Sequence, residues 1–333
     1  MKASKTLTIV VLILTLMFTS IYAIKSNKDI ALITNTAQEK NESLTTEEQK
    51  TDDFISSLLP YYEESLANIT EEDFLNAQKP PQEDESIKFC IVTSSYNNVK
   101  YASQQLNSVF KQNYHSWRFF YVDDISNDGT GEAVAKIKND SKLSDDKFHL
   151  VRRQNKSGST AQTVYEAAHG FCQDNEVIVI LDGDDMLATT AVLSKLSDVY
   201  KDGKTWVTHG QFIRYPNGTI AKDFRNEISE KDWDNARISG PWSFSHLRTA
   251  YTWLYKKINP EDIKYNGEFM TIVTDLALTY PLIEMAGKER VTFIKDIMYI
   301  YRVHPRNEGS VNREFQAKMN GYIRNLPRYE QLD

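Results

Sequence analysis

The stretch Val177-Ile178-Val179-Ile180-Leu181-Asp182-Gly183-Asp184-Asp185 decides how the rest of the chain is read. Its first five residues are apolar on both faces of any strand they form. A strand without a polar face belongs in a sheet that helices cover on both sides, which points to a mostly parallel α/β sheet. The acidic run then falls at the carboxyl end of that strand, where ligands bind in open α/β sheets. Charge at such a place is costly unless it is solvated, paired or metal-bound. Aspartates separated by one residue can approach a single hard divalent cation, and Mg²⁺ and Mn²⁺ both favour oxygen ligands. Gly183 lets the loop turn tightly and lets a ligand come close. The plain alternative is a solvated acidic turn.

Working outward, the pattern repeats. Phe89–Val92, Phe119–Val122 and Phe148–Val151 are short apolar runs that suit buried strands. Between them Ala102, Leu106, Val109 and Phe110 mark one helical face, Ala133–Ile137 a second helix, and Ala161, Val164, Ala167 and Ala168 a third. The Phe119–Val122 strand also ends in acid, at Asp123-Asp124, so two strand ends carry carboxylates and metal binding leads the solvated-turn reading. A calcium loop counted from Asp124 fits at Gly129 but has Ala135 where a bidentate Glu is required, so it is rejected. The full Gly-x-x-x-x-Gly-Lys-Ser/Thr pattern does not occur, since Asp198 stands where Gly203-Lys204-Thr205 would need its first glycine, which excludes a Walker loop. Beyond residue 202 the pattern turns strand-rich, with Thr205–Tyr215, Val291–Ile294 and Met298–Val303 around a helix over about Asp275–Met285. One α/β domain with a mixed second half is expected.

The chain has 333 residues, 41% hydrophobic and 26% charged, with net charge −7, which fits a globular protein and argues against nucleic acid as a partner. The acidity is local: residues 25–86 carry 5 Lys against 15 Asp/Glu, while 87–333 is nearly neutral. Leu7–Ile24 is free of charge and lysine-flanked, and at ~1.5 Å per residue it approaches a bilayer core. A membrane association through residues 7–24 is expected, as a signal anchor, with a signal peptide cut after Ala23 as the alternative. Residues 1–24, an acidic stem over 25–86 and a catalytic body over 87–333 are the expected divisions. Cys90 and Cys172 exclude a disulfide scaffold and a Cys-based zinc site. Two buried thiols are expected of them, with one bridge as the alternative.

These motifs, in this order, resemble family 2 glycosyltransferases with the GT-A fold. Ile91–Asn98 resembles the family's opening strand and loop, and Tyr121–Thr130 its Val-Asp-Asp-Gly-Ser-x-Asp-Gly-Thr stretch. Ile180–Asp185 resembles the DxD metal motif, Thr274-Asp275 the place of the catalytic base, and Tyr301–Pro305 the late Tyr-Arg-x-His element. Ser94 or Ser95 stands where the family usually has Pro, and Gln162 where it has Arg. No Gln/Arg-x-x-Arg-Trp motif appears, which disfavours a processive synthase.

The resemblance implies a Rossmann-like GT-A domain and an inverting hexosyl- or N-acetylhexosaminyl-transferase. Its donor would be a nucleotide-sugar, most often a UDP-sugar, and its acceptor a hydroxyl of a glycan, lipid or protein. Ser95, Tyr96, Asp124, Asp182 and Gln162 are the implied donor-binding residues. Asp184, Asp185 and His304 are the implied ligands of Mn²⁺ or Mg²⁺, and Asp275 the implied base that deprotonates the acceptor. Each has a structural alternative: a core aromatic for Tyr96, an Asx-turn for Asp124, a helix cap for Asp275, a structural histidine for His304. The stretch 239–256, with Trp242, His246, Arg248 and Trp253, falls where the acceptor region would lie. A nucleotidyltransferase and a non-catalytic sugar- or partner-binding protein are the competing readings. An anchor and stem ahead of the body resemble a Golgi-like lumenal arrangement, with a bacterial inner-membrane enzyme as the alternative.

Overall fold

In the computed structural model the described residues are 86–333, apart from 217, 221–227, 239, 241 and 305–312. The expected membrane segment and the stem through Glu85 lie outside them. Among the described residues no helix is long and apolar enough to cross a membrane.

The deciding strand forms as its composition requires. β4 (Glu176–Ile180) is buried at every residue and lies between β1 (Lys88–Ser95), parallel to it, and β7 (Ser245–Tyr251), antiparallel. Alternation divides its side chains between two cores. Val177 and Val179 join Phe89 and Ile91 on one face, while Ile178 and Ile180 join Cys90 and Val92 on the other. β2 (Trp117–Asp123) and β3 (Phe148–Arg152) continue the parallel set beyond β1. The eight-stranded sheet runs β3-β2-β1-β4-β7-β6-β10-β5, with β5 at Met186–Leu187, β6 at Val207–Tyr215 and β10 at Val291–Arg302. Strand order reverses at β1, with β2 on one side and β4 on the other, so the crevice between their carboxyl ends is a topological switch point.

Helices cover both faces. α1 (Val99–Phe110) buries Ala102, Gln105, Leu106 and Val109, one stripe at helical spacing. α2 (Thr130–Ser141) and α4 (Val192–Tyr200) contribute Val134, Val192, Leu193 and Leu196 to the same core. On the opposite face α3 (Thr160–Gly170) starts at Ser159, whose hydroxyl accepts from the Gln162 N–H at 3.1 Å. Short α5 (Glu230–Asp234) and α6 (Thr252–Tyr255) flank β7, and a two-stranded hairpin, β8 (Lys264–Tyr265) and β9 (Glu268–Phe269), follows. α7 (Thr274–Ala286) is buried throughout from Leu276, which is why its sequence shows no polar face. α8 (Arg313–Arg324) packs on it. Arg237 grips Glu284 of α7 with two bonds of 2.7 Å, both side chains almost fully buried, and so fixes where that helix stands.

Two expectations need correction. Cys90 and Cys172 are not free thiols but a disulfide, their Cα atoms 5.8 Å apart. The crossover from β1 through α3 brings together residues 82 apart in sequence, which no local pattern announces. The runs Val291–Ile294 and Met298–Val303 are one strand, β10, with register shifts around Ile297 where the pattern breaks.

Candidate active site

A cleft of about 520 Å³ opens at the switch point. Ser94, Tyr96, Asn97 and Asn98 line it from the end of β1, Asp124 from β2, and Asp182, Asp184 and Asp185 from the loop after β4. His246 and Arg248 come from β7, Thr274, Asp275 and Leu278 from α7, and Tyr301 and His304 from the end of β10. Ser95 and Gln162 are not among the lining residues.

The wall at β1 and β2 is held by its own hydrogen bonds. Asp124 accepts from the Ser157 N–H at 2.9 Å and from the Gly158 N–H, and lies 3.4 Å from Arg153 Nε. It thereby fixes the loop that places Lys156 over the Tyr96 ring, 3.6 Å from its centroid. Gln162 serves the same loop: its carbonyl accepts from the Ser157 hydroxyl at 2.6 Å and its amide donates to Glu166 at 2.8 Å. Partial burial would raise the Asp128 carboxyl, but bonds from the Thr130 hydroxyl and from the Val99 and Thr130 N–H groups outweigh it and hold this carboxyl below its usual range.

The acidic loop is built differently. A Cβ on Gly183 would lie 2.4 Å from Ser95 Oγ and 2.9 Å from Ser95 Cα, so close approach to β1 demands glycine here. Ser95 is buried beneath this loop. Asp185 is buried too, one oxygen accepting from the Arg302 N–H and the other from the Tyr299 hydroxyl, both at 2.7 Å. Asp182 sits 3.3 Å from the same hydroxyl. Burial and the neighbouring Asp184 charge push the Asp182 carboxyl up to about 6, against the pull of Arg248 and Tyr299. Asp184 faces His304, with Oδ2 2.6 Å from Nε2. The imidazole is stacked on Tyr101 at 5.6 Å between centroids, and Arg302 donates to the Asp184 carbonyl at 2.8 Å.

Asp275 stands in the first turn of α7. The helix is not capped by a side chain: its N-cap is Val273, held at φ 49°, a left-handed conformation rare for a β-branched residue. The cap alternative for Asp275 therefore fails, and strained backbone leads directly into the cleft.

β7 is what the sequence reading missed. His246 and Arg248 were grouped with aromatics of an acceptor region, yet they alternate along a central strand and face the cleft together. The period-two pattern of Ser245–Tyr251 was the available signal. The tryptophans around them serve packing: Trp253 meets Trp206 edge-on at 4.9 Å, and Trp242 meets Tyr280 at 5.6 Å. His246 stacks on Tyr299 at 4.3 Å, and burial with the Arg248 charge keeps its imidazole neutral.

Comparison with known proteins bears on this arrangement. GlyG, a glycosyltransferase of Streptococcus pneumoniae, is 26% identical over 238 residues, covering 67% of this chain and 72% of GlyG. A Pyrobaculum calidifontis mannosyltransferase, solved with GDP-Man and Mn²⁺, shares the fold with a TM-score of 0.54 at 18% identity, over 84% of this chain and 76% of its own. Staphylococcus aureus TarS 1–349, solved with UDP-GlcNAc, gives 0.53 at 18% identity over 71% of this chain, which spans 65% of that one. The family model described as glycosyl transferase family 2 matches residues 90–259, just over half of the chain. With the GT-A-like curled sheet and its acidic switch point already in view, this chain belongs to the family 2 glycosyltransferases.

Proposed function

We propose that the cleft binds a nucleotide-sugar, a UDP-sugar before others, and passes the sugar with inversion to a hydroxyl of a glycan, lipid or protein. The observation that carries this reading is the meeting of Asp182, Asp184, Asp275 and His304, from three distant segments, in one cleft. Tyr96, Lys156 and the loop held by Asp124 form the end suited to a nucleotide: an aromatic face, a cation and fixed backbone. Asp182 lines the same cleft, where it would face ribose and diphosphate.

The donor set fits a divalent cation. Asp184 and His304 offer a carboxylate oxygen and an imidazole nitrogen 2.6 Å apart, a pairing that suits Mn²⁺ or Mg²⁺ with Mn²⁺ ahead because of the imidazole. Asp185 has both oxygens engaged and braces the loop instead. When bound, such an ion offsets the charge that develops on the departing diphosphate. Asp275 takes the proton of the acceptor hydroxyl, whose oxygen forms the new bond to the anomeric carbon. The bond from that carbon to the diphosphate oxygen breaks on the opposite face, and nucleoside diphosphate leaves.

The Cys90–Cys172 bridge supports a body that faces an oxidising compartment, and with it the anchored, lumenal arrangement over a cytosolic one. The divisions at residues 24 and 86 remain part of this proposal. The test is nucleoside diphosphate release by the full chain from a panel of nucleotide-sugars, with Mn²⁺ or chelator, beside Asp184→Ala. Metal-dependent release that prefers one donor is expected, with a fall of about 10²–10³-fold in the variant. Equal release with chelator would remove the cation from the reading.

A further inference from the structure

Among the described residues Arg248 is the one cleft-lining guanidinium, and it is 8% exposed. Its Nε has no hydrogen-bond partner, and neither has Nδ1 of His246 two residues before it. A buried charged donor without an acceptor costs several kcal/mol, so it persists where a ligand supplies the acceptor. Its position in the sheet says which part of a ligand that is. β7 pairs with β4 so that Thr249 stands opposite Val179, which sets Arg248 beside Ile180, on the face that continues to Asp182. Asp275 lines the cleft at the first turn of α7 on this same face, and its charge is felt at Asp182, as is that of Arg248. The nucleotide end, at Tyr96 and Lys156, belongs to β1 and the loop held by β2. The Asp184–His304 pair joins the loop after β4 to the end of β10.

We infer that Arg248 is a specificity residue for a carboxylate on the transferred sugar, so that the donor is a nucleotide-hexuronate rather than a neutral hexose. A carboxylate accepts two parallel N–H bonds from the planar guanidinium, including the one that Nε leaves unmade, whereas a sugar hydroxyl offers a single oxygen. This inference rests on the donor reading above.

The experiment is calorimetric binding of UDP, UDP-glucose and UDP-glucuronate to the full chain with Mn²⁺, repeated with the galactose and galacturonate pair and with GDP, GDP-mannose and GDP-mannuronate. Wild-type protein and Arg248→Met are compared, and the melting temperature of each is taken without ligand. At least one hexuronate is expected to bind about tenfold tighter than its neutral partner. In Arg248→Met that ratio should fall to about one, with nucleoside diphosphate binding unchanged and the ligand-free melting point equal or higher. A hexose preferred over its hexuronate overturns the inference while leaving the donor reading standing. So does an equal loss on all diphosphates, which would put the arginine on the diphosphate. A drop in the ligand-free melting point would make Arg248 a structural residue. If no nucleotide binds at all, the donor reading itself fails.

Discussion

The two walls of the cleft are made on opposite principles. At the β1–β2 wall the side chains around the cleft are tied to backbone amides: Asp124 holds the loop at Ser157 and Gly158, Asp128 holds Val99 and Thr130, and Ser126 receives the Asn97 N–H at 2.9 Å, although Asp123 Oδ1 and Arg153 Nε lack a hydrogen-bond partner there. On β7 the cleft-lining Arg248 Nε and His246 Nδ1 are buried without hydrogen-bond partners, as is Nδ1 of His209 on neighbouring β6, outside the cleft lining. A satisfied wall is rigid before any ligand arrives. An unsatisfied one stores an unfavourable desolvation that the right ligand relieves. The difference separates residues that make the site from residues that use it, and it can be probed by mutation.

Asp275→Asn gives the largest effect expected. Turnover should fall by about 10²–10⁴-fold while donor affinity and melting temperature stay as they were. A matching loss of stability would make Asp275 part of the framework and erase the contrast. Next in size is the pH response of the unpaired side. Burial lowers His209 to about 4 from an ordinary 6.5, so its contribution is complete above pH 6.5 and is lost as pH falls toward 4, about 3 kcal/mol in all. His209→Gln should flatten that part of the stability profile in denaturant titrations. Asp182, raised by burial, works in the opposite sense: its contribution is present below pH 4 and is lost as pH rises toward 6.

Asp124→Ala tests the satisfied wall. Freeing the Ser157 and Gly158 amides should lower stability by about 2–3 kcal/mol in chemical unfolding. An unchanged midpoint would show that the loop holds without its carboxylate. Gly183→Ala sits between the walls and should be the mildest, about 1–2 kcal/mol in the same assay, because loop and strand must part to admit one methyl.

The satisfied wall was the legible one. Asp124, Gly129 and the acidic loop carry local turn chemistry at fixed spacings, and β4 announced itself because both its faces are apolar. The reading faltered at β7, where Arg248 stands among mixed polar and apolar residues and resembles a surface position until β4 and β6 are placed beside it. Gln162, which the resemblance implies for the donor, engages Ser157 and Glu166, contacts that its place in the sequence does not announce. Asp184 and Asp185 are adjacent aspartates that no spacing rule distinguishes. Tyr299 and the Arg302 amide occupy the second and leave the first to His304.

By itself, then, the sequence determined the α/β class, the parallel set β1 to β4 and the acidic strand ends. Those features follow from short-range periodicity and from the cost of charge beside apolar runs. Only the tertiary structure decided the Cys90–Cys172 bridge, the division of labour within the acidic loop, and the buried arginine opposite it. Each of these depends on which residues far apart in the chain share a face, and that is settled by strand order and register, which local sequence does not encode.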